Sequence, residues 1–274
     1  MFNKNFLNAV VPGMNKGYRK GVTGKAKIYP LHNEINRGIR NGLGDKFFTY
    51  GYGGDNEAEC TIRSQSGHWK PDGFFGQKRQ VNNGILNGGT IDYKAPYSNI
   101  IQNIGNVIGA FRSDAAVVRP EGNLFAGFIM VPEVAPYFTS DGKVRNLEHP
   151  VKKFAKELKN YANSDSSYDA SPDLIGFVAY RMPGLDFSTI KTKRDYIKAI
   201  TNYKGDIEFV NVEGVESDDK FIINDPETFV NKYVGMISSR YTENECESEY
   251  MKLFSQTPIE EQIKYLVAQG VLAQ

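Results

Sequence analysis

The sequence predicts an α+β fold. Three observations carry that expectation. Several segments of the 274-residue chain repeat apolar residues at helical spacing. Short apolar runs bounded by turn residues lie between them and read as strands. The first 97 residues are dense in glycine and asparagine, which favours hairpins and loops over long helices.

Glycine stands at 13, 17, 21, 24, 38, 42, 44, 51, 53 and 54. Each interior glycine costs a helix about 1 kcal/mol relative to alanine. Residues 1–50 therefore read as an extended, basic, glycine-rich arm with one short helix around Asn33–Arg40. Residues 51–97 read as a hairpin- and loop-rich region. Phe47, Phe48, Tyr50 and Tyr52 alternate with small residues as strand material. Asn82-Asn83-Gly84 and Asn87-Gly88-Gly89 are turn signals.

From 98 to 274 the pattern changes to that of an α+β body. Residues 98–112 set Ile100, Ile101, Ile104, Val107, Ile108 and Phe111 on one helical face, with Ser98 as the expected N-cap. Gly105 and Gly109, four apart, mark a place where another backbone is expected to come close. Residues 114–131 read as strand, turn at Pro120-Glu121-Gly122-Asn123, strand. A helix is expected over 150–162, with Val151, Phe154, Ala155 and Leu158 inward. The polar stretch 163–173 reads as an internal linker, and 174–182 as a buried strand. Thr192 and Asp195 have capping-box spacing at the head of a helix that Gly205 ends. Strands are expected over 206–215 and 220–224. One helix is expected to open at Asp225-Pro226-Glu227 and a last one at Thr257-Pro258-Ile259-Glu260.

Apolar residues make up 40% of the chain and charged residues 24%, a globular rather than disordered balance. No apolar run approaches the ~18 residues that span a bilayer, so no membrane partner is expected. The N-terminus lacks the pattern of a signal peptide, which predicts a cytoplasmic protein. Cys60 and Cys246 form neither a metal motif nor a disulfide framework. His32, His68 and His149 lie far apart in sequence and read as structural.

Two stretches carry fragments of catalytic patterns. Lys70-Pro71-Asp72-Gly73 has the order of the lysine motif of covalent nucleotidyltransferases. The polar residues before Lys70 and the placement of Glu121-Gly122 and Lys191-Thr192-Lys193 do not fit that chemistry, and the four residues read as a turn. Asp141 with Glu157-Leu158-Lys159 superficially resembles the Asp…Glu-x-Lys cluster that holds magnesium in nucleases. In that arrangement the Glu and Lys belong on a strand, whereas these fall in an amphipathic helix. Phosphate-loop, dinucleotide, nucleophile-elbow and kinase patterns are missing. No catalytic residue, cofactor or metal ligand is assigned, and the balance favours a non-enzyme.

Charge is distributed unevenly. Residues 1–50 hold nine Lys or Arg against two acids, a local +7, and residues 205–274 hold fourteen acids against five bases, a local −9. The candidate contact residues are Lys16, Arg19, Lys20, Lys25, Lys27, Arg37 and Arg40, facing either an acidic protein surface or nucleic acid. Richness in Asn, Gly, Tyr and Phe and the arm-plus-body layout resemble virion proteins of tailed bacteriophages (capsid, neck or tail components). That resemblance implies a structural role, assembly with itself or other subunits, and a virion location. The alternatives are nucleic-acid binding through cations interleaved with Tyr18, Tyr29, Trp69, Phe74 and Phe75, and an enzyme without a recognisable local motif.

Overall fold

A computed structural model describes residues 5–20, 25–58, 60–64, 67–77, 88–164 and 170–240. The described residues from 5 to 234 form one compact unit. The fold is α+β, as expected, and is built on a mixed sheet of seven strands.

The N-terminal region departs from the extended arm. Asn5–Lys20 is a helix (α1), followed by a 3-10 turn at Lys25–Lys27 and a second helix (α2) at Tyr29–Leu43. Burial outweighs propensity here. Phe6, Leu7, Val10, Val11, Met14 and Tyr18 of α1 are buried, as are Leu31, Ile35, Ile39 and Leu43 of α2. These are amphipathic stripes whose apolar face offsets the cost of Gly13, Gly17, Gly38 and Gly42. Gly17 has a positive use: a Cβ there would lie 2.3 Å from the Ala26 carbonyl oxygen. Only glycine lets the 3-10 turn lie against α1.

Strands follow at Phe47–Tyr50 (β1), Ile62–Ser64 (β2), Gly67–Trp69 (β3), Gly73–Gln77 (β4) and Gly88–Lys94 (β5). Then come helix α3 (Ile100–Val118), β6 (Leu124–Pro132), β7 (Ala135–Phe138), β8 (Val144–Glu148) and helix α4 (Val151–Ala162). The described chain closes with β9 (Leu174–Arg181), helix α5 (Lys193–Asn202), β10 (Glu208–Phe209), β11 (Phe221–Ile223) and a helix over 226–240.

The sheet runs β1-β4-β5-β6-β9, with β10 and β11 sharing the outer edge of β9. β1, β4 and β5 are antiparallel; β5, β6, β9 and β11 are parallel. Parallel neighbours need crossovers, and α3 and α4 supply them between β5 and β6 and between β6 and β9. Phe125, Ile129 and Val131 of β6 join Phe111 and Ala115 of α3 and Phe154 and Leu158 of α4 in one core. Phe128, on the opposite face of β6, meets Phe6 of α1, Tyr93 of β5 and Phe229 of the helix over 226–240. The sheet is therefore covered on both faces, which explains why β6 and β9 are buried almost throughout.

Several local expectations are corrected. Residues 114–118 continue α3 instead of forming a strand, because Phe111, Ala115 and Val118 extend the buried helical face. Ser98 is not the cap of α3. Asn99 takes that place with left-handed φ 52°, its amide exchanging hydrogen bonds with the Phe138 backbone at 3.0 and 2.9 Å, and buried Glu148 accepts from the Ile100 N–H at 2.6 Å. Gly105 and Gly109 face open space, so no backbone approaches them. Helix α5 carries the expected Thr192/Asp195 capping box but ends at Asn202, before Gly205. The helix expected from Thr257, the Asn82-Asn83-Gly84 turn and the middle of the 163–173 stretch lie outside the described residues.

Candidate active site

The polar residues that converge in this fold do so where β4 begins and β5 ends. The antiparallel register pairs Gly73 with Ile91 and Phe74 with Thr90. Continued by one residue, it sets Asp72 across from Asp92. At that point the Tyr93 N–H lies 3.0 Å from Asp72 Oδ2 and 3.0 Å from Asp92 Oδ1. One donor thus holds two carboxylates together. Alternation along β5 then places Lys94 on the same face as Asp92, and its Nζ is ion-paired with Asp92 Oδ2.

Other elements complete the cluster. Asp114, on α3, is near enough for its charge to act on Asp92 and Lys94. The side chain of Lys94 also lies over the Phe111 ring. His32 of α2 is buried, stacks on Tyr93 with ring centroids 4.5 Å apart, and has Nε2 3.6 Å from Asp72 Oδ2. Asn36 of α2 fixes the backbone. It donates to the carbonyls of Tyr52 at 3.0 Å and Asp72 at 3.4 Å, and accepts from the Tyr93 hydroxyl at 2.6 Å. A Cβ on residue 73 would fall 2.5 Å from Asn36 Oδ1, so Gly73 is what lets β4 start beside α2.

Burial shapes the electrostatics. Asp92 is pushed up to about 7, first by loss of water and then by Asp72, against the pull of Lys94. Asp114 is pushed up to about 8 by burial and by Asp92. Lys94 moves upward. Burial alone would lower it, but the charges of Asp92, Asp72 and Asp114 outweigh that effect and keep it an ammonium ion. A cation bound beside Asp92 and Asp114 would favour the ionised form of both carboxyls.

Lys94 is the member of the cluster that lines a cleft of about 710 Å³ outside the carboxyl end of β5, with the buried Asp92 behind it; open α/β sheets hold their ligands in such a place. Lys27, Lys94 and Lys193 line it, with Asn103 and Asn106 of α3. Among the described residues, no three His, Cys, Asp or Glu side chains already stand as a metal cage. A magnesium site does not require one: Mg²⁺ keeps waters and takes one or two carboxylates plus substrate phosphate. Asp72 and Asp92 fit that donor set.

Of the basic residues expected to contact a partner, Lys27 lines this cleft, and Arg19 lines a second depression beside it. Lys16 is exposed on α1. Arg37 is paired with Glu34 at 2.8 Å and Arg40 with Asp55, so both are neutralised within α2 and its neighbouring loop. The side chains of Lys20 and Lys25 lie outside the described residues. Lys70 is exposed.

The other fragment is dispersed. Asp141 pairs with Lys143, Lys159 pairs with Asp218, and Glu157 is exposed on α4. The strand-borne pattern that Glu157-Leu158-Lys159 lacks is present at Asp92-Tyr93-Lys94. The sequence hides it, because Lys70–Gly73 has the composition of a turn and Asn87-Gly88-Gly89 reads as a turn and not as the start of β5. The signal was there: an alternating run, Thr90-Ile91-Asp92-Tyr93-Lys94, twenty residues after Asp72. The aromatic residues do not form a stacking platform. Phe74 and Phe75 are buried, Trp69 packs on Phe125, and Tyr18 stacks on Tyr97.

Comparison of the chain with family models, with curated proteins and with solved structures finds no match.

Proposed function

We propose that the protein is a divalent-metal-dependent phosphodiesterase acting on nucleic acid, in preference to a purely structural role. One observation carries this reading. Asp72 and Asp92 meet on a single backbone N–H, and the Lys94 ammonium against Asp92 lines a basic cleft. This is the Asp…Asp/Glu-x-Lys arrangement, with its x residue pointing the other way on a strand.

Asp72 and Asp92 would hold the cation. When bound, it supplies Lewis-acid polarisation of a phosphoryl oxygen and lowers the pKa of a coordinated water. Lys94, kept charged by its carboxylate neighbours, faces the anionic phosphate and stabilises the charge that grows on its oxygens. In the reaction a water oxygen bonds to phosphorus and the ester P–O bond breaks. The water proton leaves to solvent, and the departing sugar oxygen takes up a proton. Asn36 and His32 pack around Asp72 and Tyr93 and keep the carboxylates in register.

The test is cleavage of circular duplex DNA and of labelled single-stranded DNA and RNA, with Mg²⁺ or Mn²⁺. Scission that stops on chelation is the expected result. Intact substrates across that set with both metals would overturn the proposal.

A further inference from the structure

We propose that Arg19 of α1 and Lys193, Arg194 and Lys198 of α5 form a phosphate-binding strip that carries the nucleic-acid backbone away from the scissile bond, on one side of it. The inference rests on the phosphodiesterase reading for the position of the scissile bond, and on separate residues for the strip.

Continuity comes first. Lys193 lines the cleft that contains Lys94 and Lys27, and also lines a depression formed with Arg19, Arg194, Lys198 and Thr201. A chain lying in the cleft meets the second depression without leaving basic surface.

The cations of the strip are not ion-paired. Among the described residues, Arg19, Lys27, Lys193, Arg194 and Lys198 take part in no ion pair, whereas Arg37, Arg40, Arg119 and Arg181 each have an acidic partner. The nearest acid on the same helix is Asp195. Its Oδ2 accepts from the Thr192 hydroxyl and the backbone N–H groups of Lys191 and Thr192, and its charge reaches Lys198 without an ion pair. Like charges gathered without counter-charges repel, and a polyanion relieves that repulsion.

Geometry supports a strand rather than a point ligand. Arg194 and Lys198 are four residues apart, about 6 Å along the helix axis. That is close to two rises of about 3.4 Å each, measured along the axis of a duplex. The platform is also fixed to its neighbour: Asn15 of α1 donates to the Ile200 carbonyl at 3.1 Å, and the Thr201 hydroxyl reaches the Asn15 carbonyl at 3.5 Å. The two helices present their cations in a constant relation.

The experiment measures binding without catalysis. Fluorescence anisotropy of labelled duplex and single-stranded oligonucleotides, in chelator and over a series of salt concentrations, compares three proteins. These are the wild type, the double variant Arg194→Gln/Lys198→Gln, and a charge-matched control, Lys152→Gln/Lys156→Gln. The control residues are exposed on α4 and line neither depression. Loss of two phosphate contacts should flatten the plot of log affinity against log salt by about 1.8 for a duplex or about 1.4 for a single strand. The control should keep the wild-type slope.

Equal slopes for the two double variants, or no binding by the wild type at low salt, would overturn the strip. Cleavage by the wild type with an unchanged slope in the Arg194/Lys198 variant would sink the strip and leave the catalytic reading standing. A flattened slope in a protein that cuts nothing would support the strip and count against the catalytic reading instead.

Discussion

Asp92 is buried, and burial raises its carboxyl to about 7. A carboxylate whose folded pKa is raised contributes stability that is complete below its unfolded value near 4. That contribution is lost as pH rises through about 7. Asp92→Asn removes the term. Without divalent cation, its melting temperature should exceed that of the wild type at pH 8, by the equivalent of about 1 kcal/mol or more, and the gap should close toward pH 4. Cleavage should be lost in the same variant. Lys94→Ala should reduce cleavage at least about 100-fold while leaving Mn²⁺ binding, read by calorimetry, in place. Tyr93→Phe strips the donor from buried Asn36 Oδ1. Chemical denaturation should show a loss of about 1–2 kcal/mol.

At the scale of elements, the sequence was legible wherever the decisive contact was local. The capping box of α5 joins residues three apart, and the apolar stripe of α4 repeats every three or four, so both were readable without a structure. The cap of α3 was not. Glu148 reaches the Ile100 N–H across 48 residues, from the end of β8. Glu148→Ala should leave buried N–H groups at the head of α3 unsatisfied and cost about 2 kcal/mol in a denaturation experiment. The carboxylate cluster was hidden for the same reason. Asp72 sits before β4 and Asp92 on β5, and only the β4–β5 register makes them neighbours. Helices α1 and α2 were hidden differently. Their glycines argued against helix, and the burial that overrode propensity is a tertiary effect.

Across the whole molecule, the charge asymmetry of the sequence acquires a location. Part of the basic N-terminal segment folds onto the body, where Lys27 and Arg19 join Lys94, Lys193, Arg194 and Lys198 around one cleft and its extension. Binding of nucleic acid should therefore weaken steeply with salt, and a metal-free protein should still bind. No helix among the described residues is long and apolar enough to cross a membrane. The most direct measurement is cleavage of duplex and single-stranded nucleic acid in Mg²⁺ by the wild type beside identically purified Asp72→Asn, Asp92→Asn and Lys94→Ala. The account predicts scission by the wild type alone, abolished by chelator. Equal scission by all four proteins, or by none, would contradict it.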